Sequence, residues 1–257
     1  MLSKLKSELN RRLAVTLKTK VLQMRNEGPL ISFTFDDVTR SSTVAGAEIL
    51  ESVGACGTYY VAGGLCGTEY NGRPFASAED ICRLHERGHE IGCHTFSHQR
   101  VPSLSRELVR SEVRRNAGFI RQICGDLVLS NFAYPFGDIS PGHKMLLQST
   151  FASCRGISPG INVDRIDLGL LKAVPLYNDR MDLATVARYL DEAATRKGWL
   201  IFYTHEVDYV KHPYGASINL LEFCVAEAKA RGFDIIPVRN ALGKVAFRPF
   251  DSPDGTR

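Results

Sequence analysis

The chain has one tryptophan in 257 residues, no C-x-x-C pair, and no apolar run long enough to cross a bilayer. Its seven cysteines, at positions 56, 66, 82, 93, 124, 154 and 224, are odd in number and show no paired spacing. That argues against a disulfide framework and a cysteine zinc site, so they are expected to be reduced core thiols. Strong charge of one sign is also lacking. A formal excess of +4 is small for this length, and its basic clusters, in the first 25 positions and at 106–121, read as exposed helix faces rather than a nucleic-acid site. In the opening MLSKLKSELNRRLAVTLKTK, charges interrupt every apolar run. No signal segment or transmembrane helix is expected, and a cytoplasmic location follows as an expectation. Leu2, Leu5, Leu9, Leu13 and Leu17 recur at spacings of three and four, which predicts an amphipathic helix. It would dock on its own domain or, in a homo-oligomer, on a sister subunit. Internal repeats and low-complexity tracts are absent.

What is present is a medium-sized globular chain, 44% hydrophobic and 23% charged, able to bury one core. LISFTF (30–35), TYYVA (58–62), HEIGC (89–93), NFAYP (131–135), LKAVPL (171–176), WLIFYT (199–204) and FDIIPV (233–238) read as strands. Helical stretches fall near 43–53, 77–87, 105–123, 141–149, 182–197 and 217–231. Ser105 and Asp182 stand as start signals, and Gly88, Gly198 and Gly232 as stop signals. This alternation predicts an α/β fold, a parallel sheet of about seven strands covered by helices and either closed into a barrel or open. A (β/α) barrel similar to a TIM barrel is preferred because the chemical residues described next fall at strand C-terminal ends. Residues 1–28 would be a helical extension, 29–240 the barrel domain and 241–257 a tail. The segment 156–170 is expected to form a long loop at the mouth of the site.

Four places carry chemistry. Asp36 and Asp37 follow an apolar strand directly, where adjacent carboxylates repel unless a cation or proton relieves them. His94 and His98, in HTFSH, are four apart, a spacing that on a helical turn lets two imidazoles reach one metal ion. Asp37 could be a third ligand. FAYPFGD (132–138) ends a strand in a Pro-Gly turn whose backbone N–H groups could line an oxyanion hole near Tyr134 and Phe136. His205 ends WLIFYT, well placed for a general acid. Each element alone also fits a bland reading: a turn or cap, exposed helix histidines, a strand-ending turn, a buried histidine. His85, His89 and His143 are assigned to surface or packing roles, and His212 to a substrate loop.

Together, TFDD (34–37), HTFSH (94–98), YPFG (134–137) and FYTHEV (202–207) resemble the polysaccharide deacetylase family, the NodB-homology carbohydrate esterases, over about residues 29–240. The resemblance implies a distorted (β/α) barrel and a divalent metal, zinc by preference, held by Asp37, His94 and His98. It also implies Asp36 as general base, His205 as general acid for the leaving amine, and the Phe136 N–H as an oxyanion donor. Two departures stand out. The family arginine two residues before the motif proline is replaced by Ala133, and Lys172 is the candidate to orient Asp36 instead. The aspartate-and-tryptophan motif that supports the acid histidine is not recognisable between 156 and 176. The pattern is similar to the subset associated with surface polysaccharide and O-antigen synthesis, implying an N-acetylated sugar, nucleotide- or lipid-linked, as substrate. The alternatives are hydrolysis of a non-sugar amide or cyclic imide, and a non-catalytic carbohydrate-binding relative.

Overall fold

In the computed structural model, residues 10–210 and 212–246 are described. Seven parallel strands curl into a distorted, partly closed barrel with helices around it. They are β1 (Leu30–Asp36), β2 (Thr58–Val61), β3 (Glu90–Cys93), β4 (Asn131–Ala133), β5 (Ser153–Arg155), β6 (Val174–Pro175) and β7 (Trp199–Thr204). The order β6-β7-β1-β2-β3-β4-β5 leaves a gap between β5 and β6, spanned by a bridge from Leu171 to Arg155. A short β8 (Asp234–Ile235) pairs with the first residues of β1. All seven residues of β1 and all six of β7 are buried, as expected of parallel strands covered on both faces.

The helices are α1 (residues 10–16), α2 (Ala47–Glu51), α3 (Ala78–Glu86), α4 (Arg106–Cys124), α5 (Pro141–Gln148), α6 (Leu183–Thr195), α7 (Ile218–Ala230) and α8 (Val238–Ala246). Ser105 and Asp182 cap α4 and α6, accepting from the Leu108 and Thr185 amides. The helix α8 runs past the expected boundary at 240. Its Val238, Ala241 and Val245 are buried on the β1–β7 side of the core.

The two ends of the barrel differ. At the strand starts, buried polar side chains satisfy one another. Glu90 accepts from Thr58 Oγ1 (2.9 Å), Asn131 Nδ2 and the Arg239 amide (2.8 Å), and Asn131 Oδ1 accepts from Ser153. This closed network seals that end and ties α8 to it. The opposite end, where the strands finish, holds Asp36, Asp37, His94, His98, Phe136 and His205.

The N-terminal segment docks on its own domain. Lys144 Nζ donates to Ala14 O (2.7 Å), Leu17 O (2.5 Å) and Asp167 (2.5 Å), which caps the end of α1 and its following turn. Val21–Gln23 then pairs antiparallel with Arg165–Asp167, so part of the expected 156–170 loop is strand. Leu2, Leu5 and Leu9 lie outside the described residues. One expectation is overturned: Cys82 on α3 and Cys124 at the end of α4 are joined as a disulfide, with Cα atoms 5.2 Å apart, while Cys56, Cys66, Cys93, Cys154 and Cys224 are free. The packing of α3 on α4 brings together two residues that sequence spacing leaves 42 apart.

Candidate active site

Asp36, the last residue of β1, is buried, and Asp37 begins the loop after it. His94 and His98 follow β3, the YPFG turn follows β4, Arg155 ends β5, and His205 follows β7. All stand at strand C-terminal ends, where this architecture assembles its sites. The backbone there is unusual: Asp37, Val38, Thr95, His98 and Phe136 all have φ between +49° and +61°. Non-glycine residues rarely adopt this region, which costs of order 1–3 kcal/mol each and concentrates at functional sites.

HTFSH is an irregular loop rather than the helical turn its spacing suggested. The left-handed residues Thr95 and His98 fold it back so that the two imidazole centroids lie 5.0 Å apart. Glu112 on α4 fixes the loop by accepting from the Phe96 amide (3.1 Å), the Ser97 amide (2.6 Å) and Ser97 Oγ (3.0 Å). No spacing rule pointed to Glu112.

Asp37 Oδ1 lies 3.0 Å from His98 Nε2 and 3.5 Å from His94 Nε2, and the three residues can offer one ligand atom each, all within 4.8 Å of one another. Although buried, Asp37 Oδ1 makes no hydrogen bond of acceptable geometry among the described residues. His94 Nδ1 is 2.8 Å from the Ala133 carbonyl, which requires the proton on Nδ1 and leaves the Nε2 lone pair facing Asp37. Burial, opposed by Asp36 and Asp37, pushes the His94 pKa down to about 4, so the imidazole is neutral at pH 7. A buried, unpaired carboxylate oxygen beside a neutral imidazole lone pair fits a divalent ion.

Beside this cluster, Asp36 is paired with Arg155, which is fully buried between the Tyr60 and Tyr203 rings. Burial alone would raise the Asp36 pKa. The charges of Arg155, His94 and His205 outweigh it and hold the carboxyl below its usual range. His205 Nε2 stands 3.9 Å from Asp37 Oδ2, and its Nδ1 lies 3.3 Å from the Tyr177 hydroxyl. Phe136, about half exposed, lays its ring 4.5 Å from that of His98 and under the Arg100 guanidinium.

Two candidates lie elsewhere. Lys172 is exposed and meets Asn162 through its backbone, so the partner of Asp36 is Arg155 instead. The Tyr134 side chain is buried in the core, with its hydroxyl donating to Gly169 O (3.1 Å), because the strand's alternation turns it away from the site. His89, fully buried, bonds Glu51 and the Gly57 amide, and His143 bonds Ser140 and Leu104 O, both packing roles.

Residues 23–150 match the polysaccharide deacetylase family. Solved structures agree on the fold across nearly the whole chain. A deacetylase solved with substrate superposes with TM-score 0.60 at 18% identity, covering 86% of this chain and 94% of its own. A family 4 acetyl xylan esterase from Clostridium thermocellum, in complex with a cobalt ion, gives 0.58 at 19%, covering 83% and 90%. A CE4 family pseudoenzyme from Bacillus anthracis gives 0.58 at 12%, covering 89% and 70%. No curated protein sequence matches the chain. Two side chains stand near the places where the chain departs from the deacetylase pattern. Arg155 is the register partner of Ala133 on the neighbouring strand, so a guanidinium reaches Asp36 from one strand over. Tyr177, just past the stretch where the aspartate-and-tryptophan motif is missing, has its hydroxyl 3.3 Å from His205 Nδ1.

Proposed function

We propose that this protein is a metal-dependent hydrolase that removes an N-acetyl or similar acyl group from a sugar. Its substrate would be a nucleotide- or lipid-linked precursor of a bacterial surface polysaccharide such as O-antigen. One observation carries the reading: the convergence of Asp37, His94 and His98 on one point, flanked by an ionised, Arg155-anchored Asp36 and by His205. A divalent ion held there, zinc by preference, would supply Lewis-acid chemistry, acidifying water and polarising the acyl carbonyl. The remaining work belongs to the chain. Asp36 takes a proton at its carboxylate from the attacking water, and Arg155 keeps that carboxylate charged and aimed. The Phe136 N–H donates to the oxyanion as the carbonyl becomes tetrahedral. His205 gives the proton that lets the nitrogen leave as an amine, since an amide anion is not a viable leaving group. A pure carbohydrate binder needs neither a base nor an acid.

Acetate release tests the reading, measured over a panel of N-acetylated sugar nucleotides, sugar lipids and short oligosaccharides with protein stripped and then reloaded with zinc or cobalt. Release that stops on chelation and returns with metal is expected. No release from any of them with metal restored would overturn the proposal.

A further inference from the structure

A second cavity, of about 270 Å³, opens beside the site and is lined by Thr39, Arg40, Ser41, Arg73, Glu206 and His212 among others. It begins two residues past Asp37 and one past His205, and Thr39 Oγ1 donates to the His205 carbonyl (2.7 Å). Its walls are tied to the catalytic loops. The hairpin carrying Arg73 is held by a Thr39–Phe75 bridge and by the Ala76 amide on Val38 O (2.9 Å), and the Val207 amide donates to Ser41 Oγ (3.3 Å).

The hydrogen-bonding capacity left in this cavity is lopsided. Glu206, buried, accepts from Arg73 with one oxygen (2.8 Å), and its other oxygen lies 3.0 Å from His212 Nε2. Asp208 spends one oxygen on the Tyr209 and Val210 amides, leaving its second as the free carboxylate acceptor. On the donor side, Arg73 uses a single N–H, and the exposed Arg40 guanidinium has no hydrogen bond or ion pair among the described residues. Two guanidinium groups with most of their N–H donors unused suit a ligand rich in anionic oxygens. Phosphate matches better than a carboxylate because it offers more oxygens to two guanidinium groups.

We infer that this cavity binds a phosphate group attached to the amino sugar, on the His205 side where the leaving amine sits. The inference rests on the deacetylase reading, and names the part of the substrate that the metal site does not touch. A nucleotide diphosphate and a lipid diphosphate share this chemistry.

Calorimetry on the metal-loaded protein tests it without relying on turnover. The probes are N-acetylglucosamine 1-phosphate, its neutral methyl glycoside, UDP-N-acetylglucosamine and a short-chain lipid diphosphate of the same sugar in micelles. The 1-phosphate should bind about tenfold or more tightly than the methyl glycoside. Arg40→Ala should erase most of that preference and Arg40→Glu all of it, and both are surface changes that leave buried Glu206 paired. Whichever diphosphate loses more affinity in Arg40→Glu identifies the source. Equal binding of the phosphorylated and neutral sugars, or a preference that survives both substitutions, would overturn the inference. Acetate released from the neutral sugar by a protein with no phosphate preference would sink this inference and spare the function. A phosphate preference lost in Arg40→Glu, with acetate never released, would do the reverse.

Discussion

Among the described residues, Arg155 is the one charged side chain bonded directly to Asp36, so Arg155→Ala would strip a buried carboxylate of its partner. Arg155 is fully buried and Asp36 is 4% exposed, so water cannot replace the lost guanidinium. Breaking a buried ion pair from one side costs about 3–5 kcal/mol. That is a large share of a typical stability of about 5–15 kcal/mol. With burial then opposed only by His94 and His205, the Asp36 carboxyl rises, and the carboxylate loses the group that aims it. The catalytic constant should fall by about 10² or more, the usual size of an acid–base contribution. The assay combines acetate release, urea denaturation and metal content, with the metal expected to stay because its ligands are untouched. Restoring the charge from the adjacent strand, as Ala133→Arg in the Arg155→Ala background, should recover at least tenfold of the rate, since the two positions are register partners. Parental rate and parental stability in Arg155→Ala would refute the assigned role.

Asp36→Asn and His205→Ala should each lower the catalytic constant by about 10² or more while metal content stays near parental; two fully active variants would remove both proton roles. In the metal-free protein, His94 takes up its proton at about 4 when folded but near 6.5 when unfolded, so stability is full above pH 6.5 and falls by about 3 kcal/mol as pH drops towards 4. Asp36 and Asp37, both held below the usual carboxylate range, add their loss only below about pH 4. Urea midpoints in EDTA across this window should slope less in His94→Ala, and an identical slope would contradict the assignment. Thiol titration of denatured, unreduced protein should find five free cysteines, and Cys82→Ala should cost about 4 kcal/mol by loop entropy; seven titrating thiols would contradict the bridge.

Much of the frame was legible because the barrel strands are buried on both faces and read as unbroken apolar runs. WLIFYT forms β7 from end to end, and LISFTF gains only Asp36. Ser153–Arg155 was not legible. A strand of three residues, one of them charged, has no periodicity, and the pairing of Arg155 with Asp36 depends on the β5–β4 register. That missed strand is also why Lys172 stood in for Arg155. The i, i+4 spacing of His94 and His98 suggested their convergence for the wrong reason, since left-handed backbone and the Glu112 clamp create it. Apolar residues at 238, 241, 242 and 245 do carry a helical period, but Pro237 and the FDIIPV run before it drew the reading towards strand and tail. The Cys82–Cys124 bridge depends wholly on helix packing.

Asp37, His94 and His98 are proposed to hold a catalytic divalent ion. Crystals of protein purified with zinc present, measured on both sides of the zinc absorption edge, test it most directly. The account predicts a single anomalous peak at bonding distance from Asp37 and from Nε2 of His94, with His98 completing the set. No peak at full zinc supply, or a peak that leaves these three residues uncoordinated, would contradict it.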